Sequence, residues 1–529
     1  MAILNKILNY KKQHHVVTGP ILDEQGTMVH APLSVANTLN NHFSTIGSRI
    51  AMNLSCSSPE SFLNYLPALS HDPIFLYPTI ENEIIKTYKS LKPTNATDID
   101  GLNNKIITKI LDKIAKPLAT IFNYSFELGI FPEDMKQSKI IPIFKGGNKT
   151  SASNYRPISI LPIMSKILEK LYCIRLTKYL QEKQIFNDTQ YGFQKNRSTI
   201  LAIIDLHETV TEALKKGDCI LIVSLDLSKA FDTIDHNILL NKLSCYDVIG
   251  VANDWLRSYL RGRMQTTSLH GDSIMSDISE IRCGVPQGSI LGPILFILYF
   301  NDITKCSNKF KFVSFADDTT LLFQFSPKDA TSNVINDELA KVSKWLVLNK
   351  LQLNIKKTQA MLLTLRADSN LKNDLDLRLN NEKILFTNQI NLLGITIDDH
   401  LSFKPHIIKL RSKVSRGVGI INRCKKLLPK NIKLQLYNSL INSHLLYGIE
   451  LRGGLPNSVL KPLQILQKRA LRAIMNAPSD HIFKQLKILS LDQIYQWCLG
   501  TMMFRAFHGS LPPLIQQRFS HPRNRITIH

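Results

Sequence analysis

Acids placed at the tips of two strongly apolar, β-branched segments constrain this chain more than any other feature. The first segment, SLDLSKAFDTIDH (residues 224–236), follows an uninterrupted apolar run over residues 219–223 and sets Asp226 just past its end. The second, FVSFADDTTLLF (residues 312–323), places Asp317 and Asp318 between two short apolar stretches. Continuous runs of this kind read as buried strands. Two of them flanking Ala316-Asp317-Asp318-Thr319 read as a tight hairpin with acids at its tip. A carboxylate at such a position is costly unless something compensates it. Three brought together repel one another unless divalent cations neutralise them, and an all-oxygen donor set favours Mg²⁺ or Mn²⁺. Two such ions about 3.5–4 Å apart suit in-line phosphoryl transfer. The competing explanation is that each acid is a turn residue or helix cap, and Asp232 and Asp235 are read that way, as caps or supports behind the site.

The rest of the chain is consistent with a large intracellular enzyme. With 529 residues it exceeds one ordinary core. Hydrophobic residues make up 44% and charged residues 20%, which excludes a disordered chain. The net charge is +23, and it is unevenly distributed: residues 401–529 hold 21 Lys and Arg against three acids, and residues 1–400 hold 44 against 39. A basic C-terminal third suggests a surface for a polyanion, the bland alternative being solubility charge or a membrane-surface patch. The eight cysteines form no C-x-x-C pair and no zinc-finger spacing, as expected of reduced thiols. No apolar run is long enough to span a bilayer.

The periodicity predicts a short helix over residues 35–51, a helix over 108–128 ended by Gly129 and Pro132, and a strand over 139–144. It predicts further helices over 162–180, 229–243, 286–301 and 333–348, and strands over 220–225 and 360–365. The expected fold class is α+β, with a mixed sheet packed by helices on one face.

Several further segments then carry a resemblance. NYRPISILPIMSKILEK (154–170), QYGFQKNRST (190–199), SLDLSKAFDTIDH, GVPQGSILGPILFILYFNDI (284–303), FADD (315–318), LNIKKT (353–358) and LLGITID (392–398) occur in that order. The set resembles the reverse transcriptases of non-LTR, jockey-like retrotransposons, over roughly residues 80–450. The resemblance implies a right-hand polymerase fold: an N-terminal extension or linker at 1–75, fingers at 76–215, a palm at 216–400 with interleaved fingers elements, and a basic helical thumb and C-terminal region at 401–529. It makes Asp226, Asp317 and Asp318 the metal-binding carboxylates, with the Leu227 carbonyl as a further ligand.

Residue by residue, the resemblance makes Phe231 a steric gate against a 2′-hydroxyl, the alternative being a core aromatic. Lys145 and Arg156 would meet the incoming triphosphate. Lys145 could instead be a solvated charge beside a Gly-Gly turn, and Arg156 an ordinary surface charge. Gln287 and Gly288, with Gly284 and Pro286, would lie near nucleotide and template, the alternative being a plain helix start. Lys357 matches a general acid towards pyrophosphate; its neighbour Lys356 leaves that assignment open by one position, and a solvated lysine is the alternative. Gly394 would sit in a primer-grip hairpin or, failing that, a strand bulge. Arg197 would contact template phosphate. Lys409, Arg411 and Lys413 would track a duplex backbone, while Tyr447 and Trp497 are expected in the core.

The implied function is RNA-directed DNA synthesis with two Mg²⁺ ions, Mn²⁺ being possible. The implied partners are an RNA template, a DNA primer or target and dNTPs, with element RNA held as a ribonucleoprotein and no membrane. The expected location is intracellular, in nucleus or cytoplasm. The sequence shows no room for an endonuclease before residue 80 and no Cys/His knuckle. The alternative is a decayed or co-opted, non-catalytic RNA-binding remnant.

Overall fold

In the computed structural model the described residues are 19–52, 54, 61–67, 72–94, 96–327, 332–365, 375–476 and 481–520. Cys56, one of the eight cysteines, lies outside them, as do all of the first 18 residues and other parts of the expected extension.

The strand Cys219–Leu225 becomes the centre of the principal sheet because its apolar run serves both faces. Leu221, Val223 and Leu225 point into one core with Phe296 and Trp345. Ile220 and Ile222 point into a second core with Leu206, Val313 and Ile395. This alternation follows from the two-residue period of a strand. The sheet order is Leu385–Phe386, Gln359–Leu363, Cys219–Leu225, Asp318–Phe325, Lys311–Phe315. One parallel pairing, between Gln359–Leu363 and Leu385–Phe386, makes the sheet mixed, as expected. The expectation of helices on one face is corrected. Gly292–Phe300 and Ser332–Leu348 feed one core, and Thr199–Lys215 covers the opposite face.

A second sheet stands beside it in the order Tyr155–Ile160, Gln137–Phe144, Arg263–Leu269, Ile274–Met275, with Ser279–Ile281 also paired to Arg263–Leu269. Strands from residues 263–281 thus complete a sheet begun at 137–160. The C-terminal part is helical, with Lys404–Arg423, Asn457–Met475 and Leu491–Phe507 contributing to a separate core.

Two helices are shorter than the periodicity predicts. The segment after Asp226 stays in turns until His236–Cys245, because Asp235 caps that helix, accepting from the Asn237 and Ile238 amides at 2.9 and 3.0 Å. Asp235 therefore acts as the cap it was read to be. The other helix begins at Gly292 rather than near Pro286. Residues 286–289 form a turn instead, with the Ser289 amide donating to the Pro286 carbonyl at 3.0 Å. The fully buried Glu169 carboxylate then takes the Ile290 and Leu291 amides at 2.8 and 3.3 Å.

The helix Pro32–Met52 is no linker. Its buried Asn40 donates to the Asp277 carbonyl and Ser279 Oγ, both at 2.9 Å, and accepts from Gln265 Nε2 at 3.0 Å and Thr267 Oγ1 at 3.1 Å. It also presses on the segment after Asp226: a Cβ added at Gly47 would lie 1.9 Å from the Asp232 carbonyl oxygen. Gly47→Ala must push the helix off that backbone. Urea unfolding is expected to show a loss of about 1–3 kcal/mol, the range for overpacking a close contact. An unchanged midpoint would mean that the helix does not dock there.

Candidate active site

The pairing of the sheet brings the three acids together. Thr319 faces Leu225 across antiparallel strands, so the next rung sets Asp318 against Asp226. Asp318 also pairs with Phe315, which leaves Ala316 and Asp317 as a two-residue turn, with Ala316 at a φ of +57°. The end of the central strand is held by the LNIKKT turn. The Asp226 carbonyl accepts from the Asn354 amide at 2.8 Å, and its amide donates to Thr358 Oγ1 at 3.4 Å. The Ser228 amide reaches the Gln352 carbonyl at 2.8 Å. These bonds flank Leu227, which therefore occupies the non-hydrogen-bonded position of a bridge with Leu353. Lys357 Nζ stands 4.0 Å from Asp226 Oδ2 and is largely exposed. Among the described residues Lys357, not Lys356, is the lysine beside that carboxylate.

The electrostatics show three carboxylates that feel one another. Burial, and then repulsion from Asp226, pushes the Asp317 carboxyl up, against a smaller pull from Arg156. Partial burial, then Asp317 and Asp226, pushes Asp318 up to about 6. Among the described residues no group of three His, Cys, Asp or Glu side chains is already closed to metal-ligand geometry. The fit to a hard divalent cation therefore rests on the donor chemistry and on this mutual repulsion, which a cation would relieve.

A cluster of cations gathers about Asp232, and one of them, Arg156, also acts on Asp317. Lys145 follows the strand Gln137–Phe144, its amide donating to the Asn154 carbonyl at 2.9 Å. Arg156 stands exposed on the neighbouring strand, in register with Ile143. Burial, then Lys229 and Arg156, pushes the Lys145 ammonium down to about 8. Burial also lowers Lys229, although Asp232 opposes the shift. Lys229 was missed in the sequence, although it stands three residues after Asp226. Two partly buried ammonium groups lowered beside a guanidinium, with Asp232 as the acid that opposes the shift, leave the site short of negative charge.

Asp232 and Gln287 lie at the edge of this cluster. Gln287 Nε2 donates to Asp232 Oδ1 at 2.7 Å, and Asp232 Oδ2 is buried with no hydrogen-bond partner. Burial raises Asp232, and the bond from Gln287 opposes it. Gln287, expected to face a sugar or phosphate, is thus engaged by Asp232, and its carbonyl accepts from the Ser159 amide at 2.9 Å. Gly288 has a φ of +138°, and a Cβ there would lie 2.4 Å from the Ser159 carbonyl oxygen, so only glycine fits. The half-buried Phe231 ring stacks on Phe296 at 4.6 Å and meets Phe193 edge-on at 6.4 Å.

Away from the acids, Leu393 and Gly394 both have positive φ, +48° and +85°, and join Gln389–Leu392 to Ile395–Asp398. This is the expected hairpin, closed by a two-residue turn rather than broken by a bulge. The Tyr447 hydroxyl donates to the Leu393 carbonyl. The placement of Tyr447 and Trp497 in the core is corrected: they are 37% and 58% exposed. Leu491–Phe507 has its apolar residues spread around the helix rather than gathered on one face, and it buries only Leu491, Ile494 and Ala506. Arg197 also differs from its expected role. Its guanidinium is 9% exposed, pairs with Asp188 Oδ1 at 2.9 Å, and donates to the Gln190 carbonyl at 3.1 Å, so it braces its own loop. Lys409, Arg411 and Lys413 are exposed on Lys404–Arg423, and Lys409 reaches Thr396 Oγ1 at 3.1 Å.

A mixed sheet with acids at two adjoining strand ends, a second sheet bearing cations above it and a helical basic unit beyond define a right-hand polymerase fold. Residues 145–397 match the family described as reverse transcriptase (RNA-dependent DNA polymerase). The chain thus carries a reverse-transcriptase domain similar to those of non-LTR retrotransposons. It is 27% identical over 477 residues to a probable RNA-directed DNA polymerase from transposon BS of Drosophila melanogaster, covering 87% of this chain and 51% of that one. It is 30% identical over 419 residues to the RNA-directed DNA polymerase from mobile element jockey of the same fly, covering 75% and 44%. The chain thus spans about half the length of these curated relatives. A looser likeness, with a TM-score of 0.37 at 12% identity, relates 68% of the chain to 66% of a telomerase from Candida albicans solved with a fragment of telomeric RNA. Among the described residues no helix is long and apolar enough to cross a membrane.

Proposed function

We propose that this chain is an RNA-directed DNA polymerase that extends a DNA primer on an RNA template, within a ribonucleoprotein of its own element's RNA. The observation that carries the reading is the convergence of Asp226, Asp317 and Asp318, with Arg156, a member of the cation cluster about Asp232, acting on Asp317. In this reading the three carboxylates, with the Leu227 carbonyl, hold two Mg²⁺ ions, for which Mn²⁺ can substitute. The ions supply charge neutralisation at the phosphates and lower the pKa of the primer's 3′-hydroxyl. That oxygen bonds to the α-phosphorus of the dNTP while the bond to pyrophosphate breaks.

Lys145, Lys229 and Arg156 bind the triphosphate, Arg156 as a fork and the lysines as point charges. Lys357 is placed to return a proton to the leaving pyrophosphate. Phe231 lies under the sugar and discriminates against ribose. The exposed Lys409, Arg411 and Lys413 hold the duplex by its phosphates, independently of sequence. The chain works inside the cell, in nucleus or cytoplasm.

Primer extension on poly(rA)/oligo(dT) with Mg²⁺ tests the reading. Extension that needs the metal and weakens steeply with salt is expected. A wild-type protein that binds the hybrid but never extends it would instead mark a non-catalytic RNA-binding remnant.

A further inference from the structure

Ala316, the residue before the two hairpin acids, is held in a left-handed conformation at a φ of +57°. A residue with a Cβ pays about 1–2 kcal/mol to sit there, so something must hold it. The QYGF segment does so. Gln190 is 4% exposed, and its Oε1 accepts from the Ala316 amide and the Gly192 amide, both at 2.8 Å. Its Nε2 donates back to the Ala316 carbonyl at 3.3 Å. Both backbone polar groups of that one residue are thus gripped by one side chain.

The neighbouring backbone reinforces the grip. The Tyr191 amide donates to the Ser314 carbonyl at 2.7 Å, and the Ser314 amide to the Thr189 carbonyl at 2.9 Å. This forms a parallel bridge along the outer edge of the hairpin. The approach is so close that a Cβ at Gly192 would lie 2.4 Å from the Ala316 nitrogen. The following residue, Phe193, reaches Phe231 and Phe315, at 6.4 and 6.5 Å between ring centroids.

We propose that Gln190 is a positioning residue: its amide locks the Ala316 turn and so aims Asp317 and Asp318 at the strand end that carries Asp226. The inference rests on the two-metal reading above and extends it to a side chain that touches neither metal nor nucleotide. The lock acts on the acids rather than on the nucleotide or the duplex, so its loss must appear in metal affinity and turnover.

The test compares wild type with Gln190→Met, which fills the same space without the hydrogen bonds. Mn²⁺ alone is titrated into each protein and free Mn²⁺ is followed by electron paramagnetic resonance. Supporting partners of metal ligands typically contribute 10–100-fold. Mn²⁺ affinity is therefore expected to fall about tenfold and kcat by at least that factor, while the dNTP KM and hybrid Kd stay near wild type and the amides left unpaired lower Tm by only a few degrees. Gln190→Asn, one methylene too short to span both groups, makes the same comparison if the methionine variant folds poorly. Unchanged Mn²⁺ affinity and kcat in a folded variant would overturn the proposal. So would a loss confined to KM or to Tm. If wild type binds Mn²⁺ but never extends a primer, the polymerase reading fails while the comparison of Mn²⁺ affinities still judges the lock.

Discussion

Asp317→Asn is expected to lower primer extension about 1,000-fold or more while leaving binding of the RNA–DNA hybrid within twofold of wild type. The substitution keeps the size of the side chain and removes one negative charge from a trio in which burial, and then repulsion, raises Asp317 and Asp318. Metal-centred charge stabilisation is worth several kcal/mol in the transition state. Each 1.36 kcal/mol is tenfold in rate, so a loss of about 4 kcal/mol gives the stated factor. In the proposed reading hybrid binding rests on basic side chains elsewhere, among them Lys409, Arg411 and Lys413, which are exposed. Single-turnover extension and filter binding on one preparation separate the two quantities. Extension that survives at a tenth of wild type would show that Asp317 does not hold a reacting ion.

The second large effect is on sugar choice. Phe231→Val is expected to raise rNTP incorporation relative to dNTP about 10–100-fold, with dNTP extension reduced far less. The ring is only half buried, and Phe296 and Phe193 fix its face. A 2′-hydroxyl pushed against a fixed ring costs about 1–3 kcal/mol, as other overpacked contacts do. Valine removes that wall. The kcat/KM ratio for dTTP and UTP on one template measures it. An unchanged ratio would return Phe231 to the role of a core aromatic that merely stacks on the Gly292–Phe300 helix.

The acids were legible because their signal is local: an apolar strand ending in a carboxylate is unusual enough to read from a few residues, and strand pairing did the rest. Lys145 and Arg156 were legible only through the resemblance, since neither has a distinctive neighbourhood in the sequence. Periodicity failed where capping overrode it. Asp235 starts its helix late, and the buried Glu169, remote in sequence, organises the start of Gly292–Phe300. It failed again for Trp497, because a helix whose apolar and polar residues are mixed around its axis gives no clue to which face is covered.

The helix Pro32–Met52 was found at nearly the expected place but misjudged in role. Its attachment depends on a buried asparagine and a glycine, Asn40 and Gly47, residues that usually mark loops. Gln190 and Lys229 stood inside quoted motifs and went unremarked, because an amide that grips a distant turn and a cation that joins a cluster are visible only in three dimensions.

The central claim is that residues 226, 317 and 318 share divalent cations at a nucleotide's phosphates. Anomalous diffraction from crystals of the protein with Mn²⁺, an RNA–DNA hybrid terminated at its primer end and a matching dNTP addresses it directly. The account predicts two manganese peaks about 3.5–4 Å apart, bridged by carboxylate oxygens from both Asp226 and the Asp317–Asp318 turn. Peaks ligated by one strand end alone, or manganese bound away from these carboxylates, would contradict it.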